Sequence, residues 1–239
     1  MKYIYGPVKS RRLGLSLGLS LTQSKTCNFD CVYCQLGGGG VKTQLRKEYV
    51  AIGDILDEFR AWLRDNPQEI SQLDYITLSG SGEPTLNARI GELITEIKKL
   101  CAVPVALITN AALLSQEAVR RQVESADLVV PSLDAVTPEV FARINRPLPE
   151  IRVENVIAGL IALRQEYKGK IWLEVMVVSG VNDDLRHIRK LQEYVELIRP
   201  DKIQLNSPVR ATAVEGVSAA DKRKLEKIKE ILGDRAEII

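Results

Sequence analysis

Short apolar runs alternate with amphipathic stretches along most of the chain. Residues 13–21, with the sequence LGLSLGLSL, alternate with a period of two, which is typical of a strand. The later runs are rich in Val, Ile and Leu, as is expected of strands that are covered on both faces. We therefore predict six strands, at residues 13–21, 74–79, 103–109, 126–132, 170–178 and 201–206.

Between the predicted strands, apolar residues recur at spacings of three and four, which predicts helices that bury one face. Pro200 follows one of these segments, at a point where a helix is expected to end. Near the end of the chain, Ser218 and Asp221 resemble a capping box, and Gly233 is typical of a helix end. The predicted helices cover residues 52–63, 86–100, 185–198 and 218–232.

Strands that alternate with helices predict a parallel sheet with right-handed crossovers. Six such units fit either an open doubly wound sheet or an incomplete barrel, and the pattern does not choose between them. In both folds the functional site lies at the carboxyl ends of the strands. Polar residues gather at these ends, in the segments 27–34, 79–84, 109–110, 132–134, 179–183 and 206–208. This convergence predicts an enzyme.

The composition is that of a soluble globular protein, with 45% hydrophobic and 27% charged residues among 239. The net charge is +2, but residues 1–50 alone carry eight basic and two acidic side chains. That segment suits either an anionic ligand, including nucleic acid, or a solvated surface. The absence of a long apolar run and of a signal peptide predicts a cytoplasmic protein without a membrane partner. We expect a single domain over residues 1–239, a core with short terminal extensions.

Three of the four cysteines, Cys27, Cys31 and Cys34, lie within eight residues. In a reducing compartment this pattern indicates a metal or redox site. The alternatives are a zinc site completed by His187, a dithiol, buried structural thiols, or an iron–sulfur cube with one iron free of protein ligands. Cys101 stands alone and is expected to be a small buried apolar residue.

The spacing C-x3-C-x2-C on the loop after the first strand resembles that of the radical S-adenosylmethionine superfamily. The resemblance implies an α/β fold, a partial (β/α)6 TIM-like barrel of parallel strands. It also implies a 4Fe–4S cluster held by Cys27, Cys31 and Cys34, with S-adenosylmethionine on the fourth iron. An external electron donor of the flavodoxin or ferredoxin type would reduce the cluster. The resulting 5′-deoxyadenosyl radical would abstract hydrogen from a substrate.

Other loops carry the same resemblance. Residues 80–84, GSGEP, are similar to the superfamily's G-G-E-P motif, in which the glutamate would accept a hydrogen bond from the methionine amino group. Residues 109–111 are similar to a Thr-Asn-Gly motif, with alanine in place of glycine, and residues 132–134 to a polar loop after the fourth strand. Each loop also fits ordinary turn and capping chemistry. The residues implied to line the cofactor are Tyr33, Gly80, Gly82, Glu83, Thr109, Asn110, Ser132 and Asp134.

Segments spread over residues 3 to about 210, among them residues 79–86 and 144–147, resemble the branch of wyosine-type tRNA synthases. That resemblance implies a tRNA base as a possible substrate. The cysteines that hold a second cluster in that branch have no counterpart before Cys27. Residues 9–12, KSRR, fit either a phosphate contact or the placement of the first strand. The alternatives are an activase that acts on a glycyl-radical protein and a metal-stabilised nucleic-acid-binding module.

Overall fold

The computed structural model describes residues 1–239. Ten strands form one large sheet and one small one. The strands are β1 (Ile4–Ser10), β2 (Gly14–Ser20), β3 (Thr26–Cys27), β4 (Val41–Lys42), β5 (Tyr75–Ser79), β6 (Val105–Thr109), β7 (Leu128–Pro131), β8 (Lys170–Met176), β9 (Lys202–Asn206) and β10 (Ala236–Ile238). All six predicted strands are present, as β2 and β5 to β9, whereas β1, β10 and the two short strands were not predicted.

Eight α-helices and two 3₁₀ turns connect the strands. The helices are α1 (Ile52–Asp65), α2 (Pro67–Ile70), α3 (Ile90–Leu100), α4 (Glu117–Val123), α5 (Pro138–Ile144), α6 (Val153–Glu166), α7 (Leu185–Ile198) and α8 (Lys222–Leu232). The predicted helices correspond to α1, α3, α7 and α8. The predicted capping box is wrong in one respect, because Asp221 itself is the N-cap of α8 and accepts from the Lys224 amide at 2.8 Å. Ser218 therefore lies outside the helix.

The order of the strands decides between the two folds that the sequence left open. In the large sheet the order is β1-β2-β5-β6-β7-β8-β9-β10, and β1 alone runs antiparallel to its neighbour. A doubly wound sheet needs a reversal of strand order, which is absent here. Right-handed crossovers between successive neighbours place all the helices on one face. Accordingly, α3 packs on both α1 and α4, and α7 on both α6 and α8.

Two apolar cores lie on opposite faces of this sheet. The larger core, of 60 buried residues, lies between the strands and the helices and includes Val105, Leu107 and Val129. The residues that alternate with these three face the concave side. There Leu13, from the tip of the β1–β2 hairpin, packs on a small cluster made of Ala106, Leu128 and Val130. The hairpin tip thus enters the concave side of the sheet.

The sheet does not close on itself, because β1 and β10 are edges that no backbone ladder joins. Arg11, at the hairpin tip, reaches across this seam. Its Nη2 donates to Asn206 Oδ1 at 3.0 Å and its Nη1 to the Ile239 carbonyl oxygen at 3.1 Å. The Arg11 guanidinium group is therefore one of the links between the two ends of the sheet.

Candidate active site

The cysteine loop, residues 27–34, lies beyond the carboxyl end of β2 and begins at the end of β3. All three of its cysteines are half-buried free thiols. The Cys34 amide donates to the Cys31 carbonyl oxygen at 3.0 Å, which folds the loop back on itself. The loop also meets the segment after β5, because the Glu83 amide donates to the Thr26 carbonyl oxygen at 2.9 Å. The sequence thus brings the cysteines and the GSGEP segment together.

Asparagine side chains approach two of the three sulfurs. Asn110 Nδ2 lies 3.4 Å from Cys27 Sγ, and Asn145 Nδ2 lies 3.6 Å from Cys31 Sγ. Burial, and then the carboxylate of Glu83, raises the pKa of Cys27 to about 12. Burial likewise raises the pKa of Cys31. Both thiols therefore hold their protons at neutral pH until a metal displaces them.

Glu83 is buried, with 2% of its surface exposed, and its carboxylate is fully used within the protein. Its Oε1 accepts from Thr85 N at 3.0 Å, from Thr85 Oγ1 at 2.5 Å and from Thr109 Oγ1 at 2.6 Å. Its Oε2 accepts from the Asn110 amide at 2.7 Å. Burial nevertheless raises the pKa of Glu83. The hydrogen bond predicted between Glu83 and the methionine amino group stays a prediction; in this structure the carboxylate joins the loops after β5 and β6.

The two glycines of the GSGEP segment are needed for close backbone approach. A Cβ on Gly82 would lie 1.9 Å from the Thr26 carbonyl oxygen, and one on Gly80 would lie 2.7 Å from Ser20 Oγ. Gly80 also has a φ of +114°, which glycine adopts readily. Ala111 follows the predicted Thr109–Asn110 pair and has a φ of +66°. It thus keeps the left-handed conformation for which glycine would be the usual residue.

Asp134 is a second buried carboxylate on the opposite side of the cysteine loop, and it is 2% exposed. Its Oδ2 accepts from Tyr33 Oη at 2.5 Å and from Asn145 Nδ2 at 2.7 Å, and its Oδ1 from the Met176 amide at 2.8 Å. Burial raises the pKa of Asp134 to about 6, although these hydrogen bonds oppose the shift. Asn182 Nδ2 in turn donates to the Asp134 carbonyl oxygen at 2.8 Å. The predicted contacts of Tyr33 and Asp134 with a cofactor stay predictions.

Ser132 extends β7 through a bridge to Glu174, and its amide donates to the Thr109 carbonyl oxygen at 2.9 Å. It is half-buried at the carboxyl ends of the strands, beside the segments described above. Its predicted contact with the cofactor stays a prediction. His187, the residue that could complete a zinc site, lies outside the cysteine loop in α7. It is only 9% exposed in α7, and its Nε2 is buried without a hydrogen-bond partner.

The sequence patterns did not predict a layer of polar side chains on the concave face of the sheet. Arg12 Nη1 pairs with Glu174 Oε2 at 2.8 Å, and Asn206 Nδ2 donates to Glu174 Oε1 at 3.0 Å. Tyr5 lies over Gly18 and hydrogen-bonds Ser79. The available signal was Glu174, the charged residue inside the otherwise apolar segment 171–178. Of the two roles considered for residues 9–12, the arginines thus take internal contacts within the fold.

The residues of the cysteine loop fit a cluster with one iron on each thiolate. Asn28 Nδ2 is buried without a partner, and Asn110 Nδ2 donates to Asn28 Oδ1 at 2.6 Å. Amide donors close to the sulfurs suit the negative charge of an iron–sulfur cluster. No group of three His, Cys, Asp or Glu side chains converges closely enough for a single metal ion. The donor set, three thiolates on one loop with amide donors beside two of them, therefore suits an iron–sulfur cluster.

Comparisons with known proteins agree with this geometry. Residues 22–191 match the radical SAM superfamily. The UPF0026 protein MJ1312 of Methanocaldococcus jannaschii is 34% identical over 239 residues, which are 100% of this chain and 73% of that protein. A protein of Brachyspira hyodysenteriae named GTPase Obg is 40% identical over 229 residues, or 95% of this chain. The chain spans only 33% of that protein, so the name describes a much longer molecule.

Among solved structures, a radical SAM methyltransferase from Sphaerobacter thermophilus superposes with a TM-score of 0.74. The two share 17% sequence identity, and the superposition covers 94% of this chain and 65% of that one. At this identity the likeness concerns the fold, and it confirms the predicted partial TIM-like barrel. None of the helices in this protein is both long and apolar enough to cross a membrane.

The superfamily prediction is therefore confirmed, and with it the predicted cofactors, a 4Fe–4S cluster and S-adenosylmethionine. The match to the UPF0026 protein does not test the resemblance to the wyosine-type tRNA synthases, and membership of that branch stays a prediction. An enzyme is favoured over a nucleic-acid-binding module with a structural metal. By its sequence match and its fold, the chain belongs to the radical SAM superfamily of enzymes and, within it, to the UPF0026 family.

Proposed function

We propose that Cys27, Cys31 and Cys34 hold the 4Fe–4S cluster and that the enzyme cleaves S-adenosylmethionine reductively. The observation that carries this proposal is the cysteine loop itself, with three free thiols beside the carboxyl ends of parallel strands and an asparagine amide at two sulfurs. When bound and reduced, the cluster supplies the electron that cleaves the sulfonium and gives the 5′-deoxyadenosyl radical. The protein's contribution is to bind and orient the reactants and to exclude water.

The chain's own residues divide this work. Gly80 and Gly82 let the backbone after β5 pack directly against Ser20 and Thr26, which places this segment beside the cysteine loop and the proposed cofactor site. Asn110 and Ser132 offer amide and hydroxyl groups at the ends of the next two strands, whereas the buried Thr109 hydroxyl donates to Glu83. The two buried carboxylates described above hold these loops in place. A fixed polar surface of this kind is what orients a substrate for hydrogen abstraction.

The polar layer on the concave face is the place that we propose for the substrate. Arg12 is 31% exposed there, and only its Nη1 bonds to a side chain, that of Glu174. The remaining guanidinium donors favour an anionic or strongly polar group on the substrate. A tRNA base is the specific candidate that the branch resemblance suggests. An electrophoretic shift of bulk tRNA tests it, and the absence of any shift at low salt would count against RNA.

Anaerobic reconstitution with iron and sulfide tests the proposed chemistry. We expect about four irons per chain and formation of 5′-deoxyadenosine when S-adenosylmethionine and dithionite are added. Cys34→Ala should abolish cleavage, and Cys101→Ala, at the end of α3, serves as the matched control that retains it. Stoichiometric zinc without cleavage in the unsubstituted protein would contradict the proposal.

A further inference from the structure

A cavity opens on the outside of the protein, away from the concave face of the sheet. It has a volume of about 530 Å³ and is lined by α5, by the segment that follows it and by β4. Apolar side chains, including Phe141, Leu148 and Ile151, contribute to its wall. We call this cavity the outer pocket. Apolar side chains gathered in one surface pocket commonly mark a binding site.

Three exposed cations surround the outer pocket, namely Lys42, Arg146 and Arg152. None of them forms a salt bridge, although fourteen such pairs occur in the molecule. One carboxylate, Glu154, also lines the pocket, which leaves a positive excess. An apolar floor within a charged rim is the usual anatomy of a protein–protein interface. The positive rim selects an acidic partner and speeds its approach.

The wall of the outer pocket is also the support of the cysteine loop. The Val32 amide donates to the Ile144 carbonyl oxygen at 2.9 Å, and the Leu148 amide to the Asn28 carbonyl oxygen at 3.1 Å. Phe141 meets the ring of Phe29 edge to face, with 5.3 Å between the ring centroids. The segment between α5 and α6 therefore has the cysteine loop on one side and the pocket on the other.

Two consecutive residues show how thin this wall is. Asn145 directs its Nδ2 to Cys31 Sγ at 3.6 Å, whereas the next residue, Arg146, lines the outer pocket. Arg146 has a φ of +44°, a left-handed conformation that is uncommon for a residue with a side chain. One residue step thus separates the two surfaces. An electron delivered at the pocket would cross only this segment to reach a cluster on the cysteine loop.

We propose that the outer pocket is the docking surface for an acidic one-electron carrier protein, which reduces the cluster. The proposal rests on the proposed function, because it needs a cluster at Cys27, Cys31 and Cys34. In each encounter the carrier is oxidised by one electron and the cluster is reduced by one. That electron then enters the carbon–sulfur bond of S-adenosylmethionine, which breaks into methionine and the 5′-deoxyadenosyl radical. No proton has to cross the interface.

RNA is the competing occupant, since a positive rim also attracts phosphate. Two observations favour the protein carrier. The floor of the pocket is apolar and includes the buried ring of Phe141, which is not presented for stacking on a base. The pocket also lies behind the cysteine loop, where an electron can enter but a base cannot reach the concave face.

The experiment compares two reductants on the reconstituted enzyme. The test variant combines Lys42→Glu, Arg146→Glu and Arg152→Glu. The matched control combines Lys222→Glu, Arg223→Glu and Lys227→Glu, which make the same charge change on exposed positions of α8. Formation of 5′-deoxyadenosine is measured with dithionite, and separately with an acidic flavodoxin or ferredoxin kept reduced by its reductase. A second variant with glutamine at the three pocket positions guards against damage by the new carboxylates.

With the carrier at low ionic strength, we expect the glutamate variant to lose roughly tenfold or more in rate and the glutamine variant to lose less. With dithionite, both should stay within about twofold of the unsubstituted enzyme, and the α8 variant should be unaffected by either reductant. Equal losses with both reductants, or full activity with the carrier, would overturn the docking surface. So would a loss of tRNA binding without a loss of carrier-driven cleavage. Absence of cleavage by dithionite in the unsubstituted enzyme would instead overturn the proposed function.

Discussion

The cysteine loop is supported on two sides by the same arrangement. On one side Glu83 accepts from the Asn110 amide, and the Asn110 side chain approaches Cys27. On the other side Asp134 accepts from the Asn145 side chain, which approaches Cys31. Each side therefore consists of a buried carboxylate that contacts an asparagine, which in turn contacts a cysteine. We refer to them as the Glu83 side and the Asp134 side.

The two sides differ in what their carboxylates connect. The donors to Glu83 are backbone amides and threonine hydroxyls of the loops after β5 and β6. Asp134 instead accepts from Tyr33 of the cysteine loop itself and from the Met176 amide in β8. The Glu83 side thus joins the segments that follow β5 and β6, and the Asp134 side fixes the cysteine loop to the sheet. The contacts of Glu83 show that a carboxylate in a motif such as GSGEP can serve to hold its own loop in place.

The largest effect should follow removal of the Glu83 carboxylate. Glu83→Ala leaves the Thr85 and Asn110 amides buried without an acceptor, each at a cost of about 1–3 kcal/mol. We expect the free energy of unfolding to fall by about 4 kcal/mol. Urea denaturation of the iron-free protein, followed by circular dichroism, measures the change. Glu139→Ala, at an exposed position of α5, is the control, and an equal loss in both variants would contradict the assignment.

The second prediction concerns pH and the Asp134 side. The pKa of Asp134 is about 6 in the folded protein against a usual 3.8, so folding favours the protonated form. This contribution to stability is complete below the usual pKa and is lost as the pH rises through about 6. We therefore expect the stability of the wild type relative to Asp134→Asn to fall by about 2 kcal/mol between pH 4 and pH 6. Denaturant titrations of both proteins across this range measure it, and a flat or rising difference would refute it.

A smaller effect should distinguish the two asparagines. A hydrogen bond to a thiolate stabilises the reduced cluster, and a difference of about 1 kcal/mol corresponds to roughly 40 mV for one electron. We expect Asn110→Ala to lower the reduction potential by about this amount. The longer contact at Cys31 predicts a smaller decrease for Asn145→Ala.

A redox titration followed by electron paramagnetic resonance measures these potentials. Asn66→Ala, at the far end of α1, serves as the control and should leave the potential unchanged. Identical shifts in the three variants would show that the asparagines act through the fold. A larger shift for Asn145→Ala than for Asn110→Ala would reverse the order inferred from the distances.

The smallest effect is expected at Cys101, which belongs to neither side. It is half-buried at the end of α3 and packs against the larger core. Cys101→Ala should lower the free energy of unfolding by at most about 1 kcal/mol and leave the iron content unchanged. Iron analysis after reconstitution, together with urea denaturation, tests both statements. A loss of iron would place Cys101 in the cluster site.

The predictions from sequence succeeded where one physical rule governs a segment. The six parallel strands read as apolar runs because helices cover one face and the barrel interior the other. Strand β1 was missed because Gly6 and Pro7 interrupt its alternation. Helix α6 was not predicted because its own apolar residues lie on several of its faces rather than on one. Its Gly159 lies against the backbone of Leu114.

In the candidate site, the motifs identified the segments that meet around the cysteine loop but not the contacts that each side chain makes. The structural roles of Glu83 and Asp134 could not be predicted in full, because several of their partners lie far away in the sequence, although Thr85 is a local partner of Glu83. Glu83 bonds to residues 26 positions further on, and Asp134 to Tyr33, 101 positions earlier. Long-range partners of this kind have no local sequence pattern.

The guanidinium of Arg11 that joins the two edges of the sheet has a consequence for access to the interior. A closed barrel can be entered only through its ends, because opening its wall would break a row of backbone hydrogen bonds. Here the wall has a seam that a few side-chain hydrogen bonds hold together: two from Arg11, one from Arg12 to Glu174, and one from Gln204 to the Arg12 carbonyl oxygen. Moving these side chains aside would open a gap in the wall while every strand pair stays intact. A bulky molecule could then present one group to the interior from the side, without having to thread past the cofactor.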